Sequence, residues 1–468
     1  MQPTPLKRIK GPVMTIAWIL LASDSASAQF TGIAPPSTPL LGAAASGDTA
    51  KVKDLLKGGA NPNDGCFLGI RPVGFSLMMQ NREMFQAFRE AGVDLTSRCD
   101  PGTTALMWAA YSTDSSVDFA DPILKGGVDV NARDKNGDTA LVWALRSGNL
   151  AMVRRLERAG ASRDVPVRAA VQKAIALLQA SAPQFVRVSG CVSCHHQNLP
   201  AMAMRLAGER GIAFDASAAN EQVKSVMAVW NSLREGMQKG TASVPNPPIV
   251  VSYSLVGLDA SRYPADETTQ AMVGMITRLQ GADGGWRSDI KRPPLEASDF
   301  TATALSLRSL QLYGGDPQRV SRAGGWLLKQ EPRTFEDRVM QLLGLSWARA
   351  DQTAIQERTR TLLAEQRVDG GWAQAANLDA DAYSTGQALV ALHTAGALKP
   401  SDGAYQSAVD FLLRSQRPDG SWWVRSRAFP IQPYKESGFP HGKDQWISAA
   451  GTSWAAMALS LAAEPGRP

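Results

Sequence analysis

The sequence predicts an all-α chain, a helical-repeat solenoid followed by a closed (α/α)6 toroid of hairpins, and three patterns predict it. Gly59-Ala60-Asn61, Gly92-Val93-Asp94, Gly127-Val128-Asp129 and Gly160-Ala161-Ser162 recur at spacings of 33, 35 and 33 residues. Further on, Gln280 to Trp286, Gln366 to Trp372 and Gln416 to Trp422 repeat the phrase Gln-x-x-Asp-Gly-(Gly/Ser)-Trp. Each copy of that phrase leads into a helix rich in small residues: Thr301 to Leu310, Ser384 to His393 and Thr452 to Ala462.

The first 28 residues read as an export signal. Lys7, Arg8 and Lys10 form a positive start, Val13 to Leu21 is a short apolar core, and Ala26-Ser27-Ala28 presents small residues for cleavage before Gln29. The apolar run is too short to span a bilayer, and no later stretch reaches about 18 uninterrupted apolar residues. The mature chain is therefore expected in the periplasm or outside the cell, with no membrane span. With 468 residues, 44% hydrophobic and 20% charged, it has material for two or three ordinary cores. Its formal charge of +6 falls to +4 without residues 1–28, which hold three basic residues and one acidic. No basic stripe points to nucleic acid. Four cysteines are too few for a disulfide-built scaffold.

In the first block each recurring glycine follows a helix with apolar last turns, as in Asp54-Leu55-Leu56 and Arg155-Leu156-Glu157, where glycine suits a left-handed closing residue. Helix starts stand upstream as Thr38-Pro39-Leu40, Thr104-Ala105-Leu106 and Thr139-Ala140-Leu141. Over residues 38–165 this resembles about four ankyrin repeats, with the family's histidine after Thr-Pro-Leu replaced by Leu41, Met107 and Val142. The second repeat departs most, with Arg71-Pro72-Val73 at its start. The resemblance implies a concave face that binds a protein partner; a plain cap on the following domain is the alternative. Cys66 and Cys99 stand one period apart in successive inter-repeat loops and could pair in an oxidising compartment. Stacked repeats lie roughly 10 Å apart while a disulfide needs Cα atoms within about 7 Å, so pairing requires the loops to approach.

From 168 to 465 the punctuation is that of hairpins. The glutamine ends an outer helix, Asp-Gly-Gly reverses the chain, and the tryptophan packs over the turn. Degenerate units fill the gaps: Gln179, an inner helix over Val251 to Gly257, and Trp326 to Gln330 before Gln341 to Trp347. About six outer–inner pairs result, enough to close a toroid. The repeated phrase is similar to the QW motif of squalene-hopene cyclases and of the wider terpene-cyclase and prenyltransferase superfamily. That resemblance implies parallel inner helices whose N-termini meet at one mouth. Cys191, Cys194, His195, His196, Gln197, Asp299, Asp379, Asp381, Tyr383, His441, Asp444 and Gln445 are expected there.

Cys191-Val192-Ser193-Cys194-His195 has the spacing at which two thiols add to haem vinyl groups while the next imidazole ligates the iron. Cys191, Cys194 and His195 are thus candidates to hold haem c for redox work, with His441, Met202, Met204 or water opposite. The cyclase resemblance implies instead an enzyme on an apolar isoprenoid-like molecule, with Asp381 as the acid and Asp299 and Asp379 as the other candidates. In that family the acid belongs to an Asp-x-Asp-Asp element, whereas Ala382 follows Asp381 here. The same aspartates also suit helix N-capping. Zinc on Cys191, Cys194, His195 or His196, and His441 is a third reading. Cys194 to Gln197 resembles the Cys-x-x-Gln spacing of complement-type thioester domains and gives a fourth. The aromatic and cationic stretch Trp422 to His441 reads as a lid, in which Arg425 and Arg427 would meet an anionic group.

Overall fold

The computed structural model describes residues 35–112, 117–190, 192–429 and 434–465. The expected export signal and Cys191 lie outside them. Among the described residues the chain is all-α, with isolated β-bridges in place of strands, and it divides into two compact units, Met1–Arg163 and Asp164–Pro468. No helix of the described residues is long and apolar enough to cross a membrane.

Four helix pairs make the first unit: α1 (Pro39–Ser46) with α2 (Thr49–Lys57), α3 (Pro72–Met78) with α4 (Arg82–Glu90), α5 (Ala105–Tyr111) with α6 (Val117–Lys125), and α7 (Ala140–Ser147) with α8 (Leu150–Arg158). The local chemistry repeats with the fold. Thr38 and Thr104 cap α1 and α5 by accepting the backbone N–H groups of Leu41 and Met107. Asp48, Asn81 and Asn149 do the same for α2, α4 and α8. First helices of successive pairs pack together, α1 on α3, α3 on α5 and α5 on α7, burying Leu41, Phe75, Leu106 and Leu141. No single pair could bury these alone. Pro72 begins α3, where its missing N–H costs nothing, so the divergent Arg71-Pro72-Val73 still starts a helix. Cys66 and Cys99 form a disulfide with Cα atoms 6.1 Å apart, so the two loops come within the reach a disulfide requires.

The second unit alternates outer and inner helices: α9 (Asp164–Ser189), α10 (Leu199–Glu209), α11 (Ala216–Lys239), α12 (Pro247–Ala260), α13 (Glu267–Arg278), α14 (Asp299–Leu312), α15 (Pro317–Lys329), α16 (Phe335–Trp347), α17 (Gln352–Leu363), α18 (Ala382–Thr394), α19 (Gly403–Ser415) and α20 (Gln445–Ala462). Packing runs α10 to α12 to α14 to α16 to α18 to α20 and returns from α20 to α10. Of these six, α14, α18 and α20 are rich in small residues. Gly386 of α18 meets the backbone of Trp454 and Ala455 on α20, an approach that a Cβ would block.

One clasp, made three times, joins consecutive hairpins. The amides of Gln280, Gln366 and Gln416 each donate to the carbonyl four residues on (Gly284, Gly370, Gly420) and to a second carbonyl on the next outer helix (Arg319, Ala404, Ala170). Trp286, Trp372 and Trp422 each donate Nε1–H to a carbonyl of the preceding outer helix and backbone N–H to a threonine of the following inner one. The central glycines have φ of 96°, 88° and 91°, and a Cβ on any of them would strike the backbone of Arg322, Ser407 or Lys173. The third clasp reaches α9, so the last hairpin is fastened to the first.

Two measurements test these fastenings. Gln416→Ala removes two buried amide hydrogen bonds and should cost about 2 kcal/mol. Its urea midpoint, read from tryptophan fluorescence, should fall while far-UV circular dichroism at zero urea is unchanged. Reducing the Cys66–Cys99 bridge opens a loop spanning 33 positions and should cost the first unit about 3–4 kcal/mol. The Cys66→Ala/Cys99→Ala protein should reproduce that loss and show no further response to reductant.

Candidate functional site

The cysteine–histidine segment enters the second unit as a single π-type turn, Cys194–Asn198, in contact with α9, α10, α12 and α20. Ser193 caps it by accepting the His196 N–H at 3.0 Å. Cys194 is a free thiol, 2% exposed. Burial pushes its pKa well up, Glu296 adds to the rise, and Arg292 opposes it. The thiol is therefore protonated at neutral pH and a poor nucleophile. His195 stacks on Trp446 at 5.6 Å and meets Phe185 edge-on at 5.1 Å. Its Nδ1 lies 2.5 Å from His196 Nδ1 and 3.3 Å from Ser193 Oγ. His196 stacks on Phe185 at 4.7 Å and places Nε2 3.0 Å from Ser437 Oγ. Both imidazoles are held neutral, His195 by burial, by His196 and by Arg292, and His196 by burial, which takes it down to about 3.

The other expected residues are distributed differently. His441 turns to Ser421, Nε2 to Oγ 2.7 Å. Phe439 lies 6.0 Å from His196 and 6.3 Å from His441, so an aromatic ring links the two histidines. No three His, Cys, Asp or Glu side chains among the described residues are grouped to hold a metal. Gln197 is committed elsewhere than Cys194: its Oε1 accepts the Ser193 N–H at 2.8 Å and its Nε2 donates to Ala182 at 3.0 Å. Asp381 caps α18, accepting from Ser384 N and Gln374 Nε2, both at 2.8 Å, and burial raises its pKa against those bonds. Asp379 is exposed in the preceding turn. Arg425 is exposed, while Arg427 donates to Gln374 at 2.7 Å.

Asp299 and Arg427 both border a cavity of about 1080 Å³. The first turns of α14 and α16 open onto it, and its lining mixes Phe300, Trp326 and Phe335 with ionic side chains such as Lys291, Arg338 and Glu365. Its inner wall includes Glu336, 5% exposed. The Glu336 carboxylate accepts from Thr301 Oγ1 at 3.1 Å, Tyr383 Oη at 3.1 Å and Gln387 Nε2 at 3.2 Å. All three donors are neutral. Burial lifts its pKa to about 7, and these hydrogen bonds only partly offset the rise. Tyr253, fully buried on α12, interacts electrostatically with Glu336, Cys194 and Glu296, and its hydroxyl has no hydrogen-bond partner. Side chains from α12, α14 and α18 thus surround a carboxyl carried by α16.

Sequence reasoning passed over Glu336. It starts the fourth inner helix at Gln341, but Thr334 caps that helix seven residues earlier, with Asp337 completing the capping box. Asp337 serves the cap, accepting from Arg333 N and Thr334 N, while its neighbour Glu336 faces inward. Thr334-Phe335-Glu336-Asp337 is a capping signature, and it was the available signal.

A family model for ankyrin repeats, in three copies, matches residues 77–169. The chain therefore carries ankyrin repeats; the pair α1–α2 lies ahead of the matched stretch. A search of curated proteins finds no match to the chain.

Glu336 makes stability depend on pH in a definite direction. Its folded value of about 7 lies above the ordinary 4.5, so between those pH values the folded chain holds a proton that the unfolded chain has lost. Stability should fall as pH rises through that window, by on the order of 3 kcal/mol for this group. Glu336→Gln should remove that part of the slope and melt higher than the parent at pH 8. Equal slopes in thermal melts from pH 4.5 to 8 would contradict the assignment.

Proposed function

We propose that this is an exported protein in two functional parts. The ankyrin array docks a protein partner, and the second unit is an (α/α)6 toroid, similar to those of squalene-hopene cyclases and prenyltransferases, that handles a small molecule in a chamber at its mouth. The observation carrying the second part is the cavity of about 1080 Å³ at the first turns of α14 and α16, with the buried carboxyl of Glu336 in its wall. The cyclic packing of α10 to α20 and the threefold clasp support the toroid. Ankyrin repeats support the docking role.

The polar lining favours a polar ligand over an isoprenoid hydrocarbon, because ionic side chains left unsolvated against an apolar ligand are costly. In this reading Glu336, which titrates near neutral pH, takes the acid–base role that the family resemblance implies for Asp381. Asp381 is a helix cap and its mutation acts on α18.

A second reading keeps a covalent haem on Cys191, Cys194 and His195. The turn of Cys194 and His195 into the interior of the unit favours it, as does the neutral state of His195. As packed, however, Trp446 and Phe185 crowd the His195 ring and the Cys194 thiol is closed off, so a porphyrin fits only if Trp446 gives way.

Exported protein made alongside cytochrome c maturation machinery separates the two readings. The small-molecule reading expects no visible haem absorbance after denaturing electrophoresis and an intact mass without a haem adduct. It also expects fragment hits whose thermal shifts diminish when Ala376→Trp narrows the cavity. A covalent chromophore would favour haem, and hits indifferent to Ala376→Trp would remove the chamber from consideration.

A further inference from the structure

The charged side chains that line the chamber do not cancel. Arg338 and Glu365 are occupied with each other in an ion pair. Lys291 donates to the Ala297 carbonyl at 3.1 Å and lies 3.7 Å from Asp299, which Arg287 also approaches at 3.6 Å. Asp337 is taken by Ser298 and by its own cap. Glu336, whose pKa burial lifts to about 7, holds its proton for most of the time at pH 6. What remains of the ionic lining is Arg333, Arg367 and Arg427 against Glu331. Among the described residues none of these three guanidiniums forms an ion pair. Two of them are fastened to one wall. Arg427 donates Nε–H to Gln374 Oε1 at 2.7 Å, and Gln374 donates onward to Asp381 at 2.8 Å, so an amide stands between this guanidinium and that carboxylate. Arg367 donates through Nη2 to the carbonyls of Ala375 and Ala376 at 3.2 and 3.1 Å. Gln374, Ala375 and Ala376 all border the chamber. A guanidinium carries several N–H donors in a fixed fork, so each arginine is held in place with most of its donors left over.

We propose that the chamber binds a small organic carboxylate, its anionic head taken by Arg367 and Arg427 and its carbon part by the aromatic side of the lining. This rests on the small-molecule reading above and gives it a ligand class. The planar fork of arginine matches the two oxygens of a carboxylate, and charge-assisted bonds of this kind are stronger than neutral ones. Both arginines are positioned by neutral acceptors, so an incoming anion displaces water and no carboxylate of the protein. A cationic ligand would instead meet three arginines with Glu331 alone to answer it. Phe300, Trp326 and Phe335 border the same chamber and give an organic acid a contact that an inorganic anion cannot use. Of the two arginines expected to meet an anion in the segment after Trp422, Arg427 lines the chamber and Arg425 does not. Arg427 and Arg333 are exposed, so salt screens their attraction for the ligand.

Isothermal titration of the full chain with sodium phenylacetate at pH 6 tests this, with 2-phenylethanol and sodium phosphate as parallel probes. Saturable binding of the phenylacetate is expected, weakening as sodium chloride is added. Arg367→Gln and Arg427→Gln should each weaken it by about five- to tenfold while keeping the parent's circular dichroism. Arg427 sits on an exposed stretch, so its variant remains decisive even where loss of the Arg367 bonds disturbs the wall. Arg427→Lys, which keeps the charge and loses the fork, should fall between parent and Arg427→Gln. Phenylacetate binding as tightly to both glutamine variants as to the parent would overturn the inference. Phosphate displacing phenylacetate at equal concentration would make this an inorganic anion site and overturn the carboxylate. Binding of 2-phenylethanol with equal strength, indifferent to both substitutions, would overturn the inference and leave the chamber reading standing. No binding of any probe would overturn both.

Discussion

The second unit depends on one clasp, the glutamine amide that bridges its own turn and the next outer helix. A helical hairpin in isolation exposes the apolar sides of both helices, and sideways packing alone leaves its tilt loosely fixed. The amide fixes it by spending both N–H donors on carbonyls, one local and one on the neighbour. The glycine at positive φ lets that neighbour's backbone come close enough to accept. Tryptophan then covers the junction and is itself pinned at two nitrogens. Three such clasps repeat one geometry at three of the junctions between hairpins. Closure is visible in the third copy, whose amide finds Ala170 on the first outer helix 246 positions away in sequence.

Closing the cycle decides what the interior can be. Six inner helices in mutual contact leave room near the axis for small side chains, so serine, threonine, alanine and glycine predominate there. Many of the hydroxyls are answered across or along the helices: Ser306 bonds to Pro248 and Ser309 to Ser252 on the neighbouring helix, while Ser453 and Ser460 turn back to carbonyls four residues earlier. A glutamate cannot be answered in that way. Placed on the first turn of α16 among neutral donors, it keeps a large part of its desolvation penalty, which appears as its raised pKa.

Repeats were legible because they are periodic. The 33-residue glycine spacing in the first unit and the three Gln-to-Trp phrases in the second expose the helical class, the hairpins and their junctions without any tertiary information. Helix starts were less legible. Gln341, Ser384 and Thr452 stand several residues or less inside α16, α18 and α20, because small-residue patterning begins only where the helix is already surrounded. The site suffered from the same blind spot. Asp381 matches the cyclase element only in part, since Ala382 follows it, and a motif does not say which of two adjacent acids caps and which points inward. At Glu336 and Asp337 that choice follows from the capping box and from the identity of the facing helices, α14 and α18, which only the fold supplies.

The histidines show how the same closure distributes residues that sequence spacing grouped together. In the third clasp Ser421 replaces the glycine found at Gly285 and Gly371, and its hydroxyl reaches both Asp419 and His441. His441 is thereby tied to the clasp that fastens the last hairpin to the first, 2.7 Å from a serine that no other clasp has. His196 is tied to the same segment at its other side, through Ser437, whose oxygen is shared with Gln445 at the start of α20. Burial lowers the pKa of both rings, both pack on aromatics, and each bonds a serine, Ser437 of the closing segment for His196 and Ser421 of the clasp for His441. Their common role in this packing is to anchor residues 437–445 over the junction. A ligand role for His441 would require it to leave Ser421, loosening the junction on which the cycle depends, whereas His195, bonded only within its own turn, could change partners without that cost.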